Sequence, residues 1–199
     1  MCPRTSEQFE EIRENKRRQI LVAAVECFAT MGYHACSISD LARHAGISKG
    51  LMYNYFSSKE DLLKTIFREI MEEMILLIDP GHTGVMDQKI LNDYFDRLLA
   101  HLKSNLIFWK MHLAIFSQPA VQQILSEEIL AASKQPLEMV EEYFRKQGYK
   151  NPVLEVAFMS TLMSGITWEY IADPENYPLD QIKERILNIY LTPHPQTKK

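Results

Sequence analysis

The chain has 199 residues, 46% of them apolar and 24% charged, which is typical of a globular protein with a sizeable core. No run of about 18 apolar residues occurs, and the first residues lack the apolar stretch of a secretory signal, so we expect neither a membrane span nor export. The net charge of −4 argues against a protein that binds nucleic acid over its whole surface.

The charges are unevenly distributed along the chain. Residues 12–68 carry nine Lys/Arg and five Asp/Glu, whereas residues 69–199 carry 12 basic and 18 acidic residues. A basic head on an acidic body fits a protein that offers only one end to phosphate groups.

The cysteines indicate a compartment. Cys2, Cys27 and Cys36 are odd in number and lack CxxC spacing. This pattern favours reduced thiols in the cytosol over a disulfide framework, so we expect a cytoplasmic protein.

Apolar residues recur at helical spacing throughout, glycine is scarce, and no alternating run indicates a strand. Pro136 is expected to kink or split the long seventh helix. We predict an all-α protein of about nine helices, at residues 12–31, 39–45, 49–55, 59–78, 87–103, 105–117, 120–147, 152–172 and 179–191.

The segment with the clearest functional pattern is residues 37–56, SISDLARHAGISKGLMYNYF. Two short helices are predicted here, with Ser37 and Asp40 in capping-box relation and Ser48 as the cap of the second helix. Gly46 allows the tight turn between them, and Ala42 and Ala45 let the helices approach closely. This pattern predicts a helix-turn-helix.

The run from Ile20 to Leu62 resembles the DNA-binding domain of the TetR family. The pattern includes Ala24, Phe28 and Gly32, then Asp40-Leu41-Ala42, Ala45-Gly46-Ile47-Ser48, Lys49-Gly50, Tyr53-Asn54-Tyr55-Phe56 and Lys59-Glu60-Asp61-Leu62. Ser37 stands where threonine is more usual and keeps the hydroxyl cap. The resemblance implies a helix-turn-helix domain at residues 1–60 and a ligand-binding and dimerisation domain at residues 61–199.

The second helix of the motif is the predicted recognition helix. Asn54 suits a bidentate contact with adenine, Leu51 a thymine methyl, and Gly50 a close backbone approach. An alternative for Tyr53 and Tyr55 is a half-buried packing role. The predicted DNA-binding residues are Ser37, Ser48, Lys49, Gly50, Leu51, Tyr53, Asn54, Tyr55 and Lys59.

The resemblance further implies a homodimer and a small-molecule effector. Small and apolar residues on the last two helices predict the dimer interface, namely Ala157, Ser160, Ser164, Ile182, Ile186 and Ile189. Aromatic and methionine-rich helices predict a ligand pocket of Trp109, His112, Phe116, Met139, Tyr143, Glu155, Met159, Met163 and Trp168. Packing of each set within the monomer core is the alternative.

No pattern for catalysis or for a metal or cofactor site occurs: there is no HExxH, CxxC, Walker A, GxGxxG or GxSxG sequence. We expect a ligand-responsive regulator that, as is usual for the family, acts as a repressor. It is expected to bind a palindromic double-stranded operator and to be released by a small hydrophobic or aromatic effector. The alternative is a helical small-molecule-binding protein or enzyme with a vestigial DNA-binding head.

Overall fold

The computed structural model describes residues 5–191, and all regular structure in that range is helical. The predicted all-α fold class with an N-terminal helix-turn-helix is confirmed. The ten helices described are α1 Ser6–Met31, α2 Ile38–His44, α3 Lys49–Tyr53, α4 Lys59–Ile78, α5 Gln88–Ser104, α6 Leu106–Phe116, α7 Pro119–Ile124, α8 Ser126–Lys146, α9 Pro152–Ala172 and α10 Leu179–Leu191.

Two helix boundaries differ from the prediction. Helix α1 begins six residues before Ile12 because Thr5 and Gln8 form a capping box, a local signal that the apolar stripe does not include. The seventh predicted helix is divided at Leu125, which is fully buried, and not at Pro136, which lies inside α8. Glu127 and Glu128 lie in the first turn of α8, where acidic side chains interact favourably with the positive end of the helix dipole.

The first of two compact units comprises the residues up to Ile70 together with Lys110–Glu128. It therefore extends past the predicted domain boundary at residue 60 and includes a segment from the middle of the chain. Its largest fully buried side chains are Ile20, Phe28, Leu41, Met52, Leu62, Leu63, Ile115 and Leu125.

The second unit comprises Met71–Trp109 and the residues from Ile129 onward. Its core is contributed by α5, α8, α9 and α10, and the fully buried side chains include Leu91, Phe95, Leu102 and Phe144. No helix within residues 5–191 is both long enough and apolar enough to cross a membrane.

The cysteine prediction was wrong for one pair. Cys27 on the buried face of α1 and Cys36 at the end of the following loop form a disulfide, with their Cα atoms 6.2 Å apart. Their separation of nine residues matches no recognisable motif, and only the turn after α1 brings them together. Cys2 lies outside the described residues.

Candidate nucleic-acid interface and effector cavity

The turn between α2 and α3 has the geometry that the sequence predicts. Gly46 adopts φ +61°, a left-handed conformation that a β-carbon would strain. The backbone N–H of Ile47 donates to the Ala42 carbonyl at 2.9 Å, and the Gln19 side chain donates to the Ala45 carbonyl at 2.8 Å. The turn is therefore closed internally and also tied to α1.

Helix α3 presents a polar face to the exterior. Lys49 and Asn54 are exposed, and half of the Tyr53 surface is accessible. Met52, on the opposite face, is completely buried and attaches the helix to the core. Tyr53 and Asn54, which are predicted to reach bases, are thus not packed into the core, whereas the α3 residue that faces inward is apolar.

Gly50 lies at the start of α3 in a normal helical conformation. A β-carbon built on it would meet no heavy atom within 4 Å. Glycine inside a helix costs about 1 kcal/mol relative to alanine, so packing within the chain gives no reason for glycine here. A requirement from outside the chain, such as close approach to a DNA backbone, does give one.

Ser37 and Ser48 both act as helix caps. The Ser37 hydroxyl accepts from the Asp40 backbone N–H at 3.1 Å and donates to the Asp40 carboxylate. The Ser48 hydroxyl accepts from the Leu51 backbone N–H at 3.1 Å. Leu51 and Tyr55 are half-buried. Contacts from these four residues to DNA stay predictions.

Lys59, the first residue of α4, has partners inside the chain. Its Nζ donates to the carbonyls of Tyr33 at 2.8 Å and Cys36 at 3.0 Å, and lies 4.3 Å from the Tyr33 ring centroid. Burial lowers the pKa of the ammonium group. The phosphate contact predicted for Lys59 is untested, and the structure gives this side chain the additional task of holding the α1–α2 loop.

The α1–α2 loop (residues 32–36) is also held from the other side, by Gln118 between α6 and α7. The Gln118 Oε1 accepts from the Tyr33 backbone N–H at 2.7 Å. The Gln118 Nε2 donates to the Phe28 carbonyl at 3.0 Å and to the Ala114 carbonyl at 2.9 Å. One amide thus joins the end of α6 to the end of α1. No local pattern in the sequence marks Gln118, because its partners lie 85 and 90 residues away.

The second unit contains a cavity of about 250 Å³ between α4, the α4–α5 loop, α5, α8 and α9. Two hydroxyl-bearing side chains, Tyr94 and Ser160, line it, and the rest of the lining is apolar. Burial raises the pKa of Tyr94 to about 12, so the phenol stays a neutral hydrogen-bonding group. The lining residues are Ile78, Met86, Tyr94, Pro136, Leu137, Val140, Val156, Met159, Ser160 and Met163.

Only two of the nine predicted pocket residues, Met159 and Met163, line this cavity. Met139 and Tyr143 are core residues instead, and Trp168 is 58% exposed. The remaining predictions also fall elsewhere. Trp109 donates to His101 Nδ1, His112 stacks on Phe116 in the first unit, and Glu155 is half-buried.

Four of the lining residues, of which Met159 and Met163 were predicted, share a regular spacing in the sequence. Val156, Met159, Ser160 and Met163 recur at i, i+3, i+4 and i+7, so they share one face of α9. Aromatic character alone was a poor guide, since aromatic residues fill cores as readily as they line pockets. Ser160, predicted for the dimer interface, belongs to this stripe.

The predicted dimer residues divide into two groups. On α9, Ala157, Ser160 and Ser164 are exposed, as is Ile189 on α10. Ile186 is buried in the core of its own chain, which corrects its assignment to the interface, and Ile182 is half-buried. The physical reason is that α10 packs its central apolar stripe inward to close the second unit.

The exposed side of α9 is unusually apolar. Leu154, Phe158 and Trp168 are 59%, 47% and 58% exposed, and a β-carbon at Gly165 would meet nothing within 4 Å. Several exposed apolar side chains on one helix are the usual mark of an interaction surface. We call this surface, Leu154–Trp168, the α9 face.

The arrangement of α1 to α3 and the start of α4 coincides with a known domain. Residues 20–66 match the model of the bacterial regulatory proteins of the tetR family. The likeness to the tetR family in sequence lies in this segment of the chain. Within the described residues, no group of three or more His, Cys, Asp or Glu side chains is placed to hold a metal ion.

Similar proteins extend the comparison. The fatty acid metabolism regulator protein of Bacillus subtilis is 45% identical over 60 residues, which cover 30% of this chain and 31% of that protein. The match therefore spans under a third of that relative. The solved structure of the fatty acid degradation regulator FadR from Bacillus halodurans covers 90% of this chain and 96% of its own, with TM-score 0.69 and 21% identity.

The structure of FadR from Bacillus subtilis in complex with stearoyl-CoA covers 88% of this chain and 97% of its own, with TM-score 0.65 and 22% identity. At this level of identity the two structural likenesses establish the TetR-like fold over most of the chain. The sequence likeness lies in the helix-turn-helix domain.

Proposed function

We propose that the protein is a cytoplasmic transcription regulator that binds a palindromic DNA operator as a homodimer and responds to an apolar small molecule. The observation that carries the proposal is the exposed polar face of α3, held by a buried Met52 and a TetR-family turn. An exposed tyrosine at the end of a short helix and an exposed asparagine as its C-cap suit base edges in the major groove.

The α9 face supports the homodimer. A two-fold pair of such faces would bury Phe158 and Trp168 of both copies, and the open side of Gly165 permits close helix approach. A dimer places two copies of α3 about 34 Å apart, one turn of DNA, so the operator is expected to be a palindrome.

The cavity supports an effector with an apolar chain. Its volume lies slightly below the usual range for ligand sites, and its lining side chains offer only hydroxyl groups for polar contact. An acyl chain fits these properties better than a charged or large planar ligand does. The stearoyl-CoA in the Bacillus subtilis FadR complex is consistent with this choice.

The proposed mechanism is repression that the effector relieves. Helices α4, α6 and α8 each run continuously from one compact unit into the other. A shift of α6 on effector binding would move Gln118, which holds the Tyr33 amide, and so displace the loop that precedes α2. A coupling of one to two decades in operator affinity is typical of such switches.

Selection of bound sequences from a random double-stranded DNA pool tests the DNA-binding function. The native protein is expected to enrich a palindrome, and the variant Tyr53→Ala plus Asn54→Ala is expected not to. Lys134→Ala plus Glu138→Ala, two exposed positions on α8, is the matched control. Failure of a folded native dimer to enrich any sequence would favour a vestigial head on a small-molecule-binding body.

Thermal denaturation with fatty acids and acyl-CoA thioesters of increasing chain length tests the effector class. Leu137 lies at the cavity and is 43% exposed, so Leu137→Trp should narrow the entrance without overpacking the core. Leu130→Trp, on the same helix and 73% exposed, is the control. Stabilisation that is equal in both variants would contradict the cavity as the binding site.

A further inference from the structure

The α1–α2 loop is tied to three different parts of the first unit. Lys59 donates to two of its carbonyls, Gln118 accepts from the Tyr33 amide, and Cys36 is bonded covalently to Cys27 of α1. The first two ties are hydrogen bonds of ordinary strength. The disulfide is the covalent tie, and it forms on oxidation and breaks on reduction.

The disulfide lies next to the start of the helix-turn-helix. Cys36 is followed directly by Ser37, whose hydroxyl caps α2 and whose backbone N–H bonds to the Asp40 carboxylate. Helices α2 and α3 are in contact, and the backbone N–H of Ile47, in the turn between them, donates to the Ala42 carbonyl of α2. A displacement of Cys36 is therefore passed to the N-terminus of α2 and to the helix that carries Tyr53 and Asn54.

Reduction cannot be absorbed without movement at this site. Neither Cys27 nor Cys36 has any exposed surface. Reduction adds two hydrogen atoms and turns two bonded sulfur atoms into non-bonded neighbours within a close-packed core, where changes as small as one methylene are felt. The hydrogen bonds from Lys59 and Gln118 would limit how far the loop can move after reduction. We therefore expect the loop to become less ordered but to keep its mean position.

We propose that Cys27 and Cys36 are a redox-modifiable pair whose oxidation state sets the order of the α1–α2 loop and, through it, operator affinity. The inference rests on the proposed DNA-binding function. Disulfides that form in a reducing compartment are usually transient and redox-sensing, which suits a regulator that works on DNA in the cytoplasm.

The chemistry balances with ordinary cellular reagents. Hydrogen peroxide oxidises one thiolate to a sulfenic acid with release of hydroxide; the second thiol displaces water from that sulfur, and the disulfide results. In the reverse direction a small thiol attacks the disulfide and forms a mixed disulfide with one cysteine. A second small thiol then attacks the mixed disulfide, so that the two small thiols leave as their own disulfide and both cysteines become thiols. Because both sulfurs are buried, each reaction requires a transient opening of the loop.

The disulfide form is the tighter DNA binder. The bond fixes the position of Cys36 before DNA arrives, so less ordering is left to be done on binding. Reduction is expected to weaken operator binding about fivefold, at the lower end of typical coupling between sites. It is also expected to lower the melting temperature by roughly 5–10 °C.

The test uses the full chain with Cys2→Ser, which removes the third thiol. The protein is equilibrated with mixtures of reduced and oxidised dithiothreitol, or with hydrogen peroxide, and its thiols are counted by alkylation after denaturation and mass spectrometry. Operator affinity, melting temperature and hydrogen exchange of residues 32–44 are measured in parallel. Cys27→Ser plus Cys36→Ser in the same background is the control, in which the redox reagents should change nothing.

We expect the thiol count to change between two in the reduced protein and none in the oxidised protein. In the reduced state we also expect faster hydrogen exchange at the start of α2 and weaker operator binding. Two free thiols after complete peroxide treatment would overturn the proposal. A disulfide that forms with no change in loop exchange or affinity would also overturn it, leaving a purely structural bond. Thiol count and exchange need no DNA, so absence of any operator would count against the proposed function and leave the redox site to be judged on those two measurements.

Discussion

The α3 surface and the cavity of the second unit are both functional candidates, yet they are built in opposite ways. At α3 the side chains of Lys49, Tyr53 and Asn54 are exposed, and the one buried residue of the helix is Met52. At the cavity the candidate residues belong to five elements and are apolar like the core around them. An exposed polar residue on a short helix therefore indicates a functional role by itself, whereas an apolar cavity residue indicates one only when its neighbours are known.

The largest expected effect tests the α3 side of this contrast. Tyr53→Ala plus Asn54→Ala should lower operator affinity about 100-fold, since each direct base contact contributes about 1–3 kcal/mol. The melting temperature should hardly change because both side chains are exposed. Fluorescence anisotropy on the selected operator measures the first quantity. A large fall in stability would mean that these residues serve packing instead.

The next largest effect concerns the α9 face. Phe158→Glu should convert the dimer to monomer at micromolar concentration. The substitution places a charge in the α9 face of each copy, which is expected to be buried in the dimer interface. Phe9→Glu, on the equally exposed start of α1, is the control and should leave the dimer intact. Multi-angle light scattering distinguishes the two. A monomeric native protein would contradict the assignment of the α9 face to a dimer interface.

Gln118 sharpens the comparison because it ties the end of α6 to the loop that precedes the helix-turn-helix, within the first unit. Gln118→Ala leaves the Tyr33 amide and the Phe28 carbonyl without their partner, at a cost of about 1–3 kcal/mol. For a chain of this size the melting temperature should fall by roughly 2–10 °C. Gln123→Ala, an exposed position on α7, should have no such effect.

In Gln118→Ala the response of operator affinity to the effector should also shrink, since the proposed path to the α1–α2 loop is cut. An unchanged effector response in a destabilised variant would place the coupling in α4 instead.

Gly50→Ala separates stability from DNA binding at one position. The substitution should raise the free energy of unfolding by up to about 1 kcal/mol, since alanine favours the helix and the β-carbon meets no neighbour. Operator affinity should fall because the methyl group lies where the DNA backbone is expected to approach. Urea denaturation and anisotropy measure the two quantities. Tighter operator binding would show that glycine is not needed for close approach.

The smallest expected effect is at the cavity wall formed by the α4–α5 loop. Burial by itself raises the pKa of Asp79, but hydrogen bonds from the Gly84 and Thr83 backbone amides and the Thr83 hydroxyl hold it below its usual value. The folded-state pKa is thus depressed. The carboxylate stabilises the fold above the unfolded-state value of about 3.9, and this contribution is lost as pH falls through the folded-state value.

Asp79→Asn should therefore lower the melting temperature at pH 7, and its difference from the native protein should shrink as the pH falls below about 4. Glu138→Gln, at an exposed position, serves as the control. A difference that stays constant over this pH range would show that the ionised form of Asp79 is not what stabilises the loop.

The sequence by itself determined the helix-turn-helix, because its signals are local. Capping residues at Ser37 and Ser48, a left-handed glycine at position 46 and an apolar stripe on α1 each act within a few residues. The same locality accounts for the correct all-α prediction. Proline was the exception, since Pro136 is accommodated in α8 and the break falls at the buried Leu125.

Only the tertiary structure decided which apolar residues line the cavity, which of the α10 isoleucines face inward, and that Cys27 meets Cys36. Each of these depends on contacts between elements distant in sequence or on the path of a turn, and residue type carries no record of such contacts. The ties of Gln118 and Lys59 to the α1–α2 loop belong to the same class. Local hydrogen bonding and side-chain period can be read along a chain, whereas packing between distant segments is settled only when they meet.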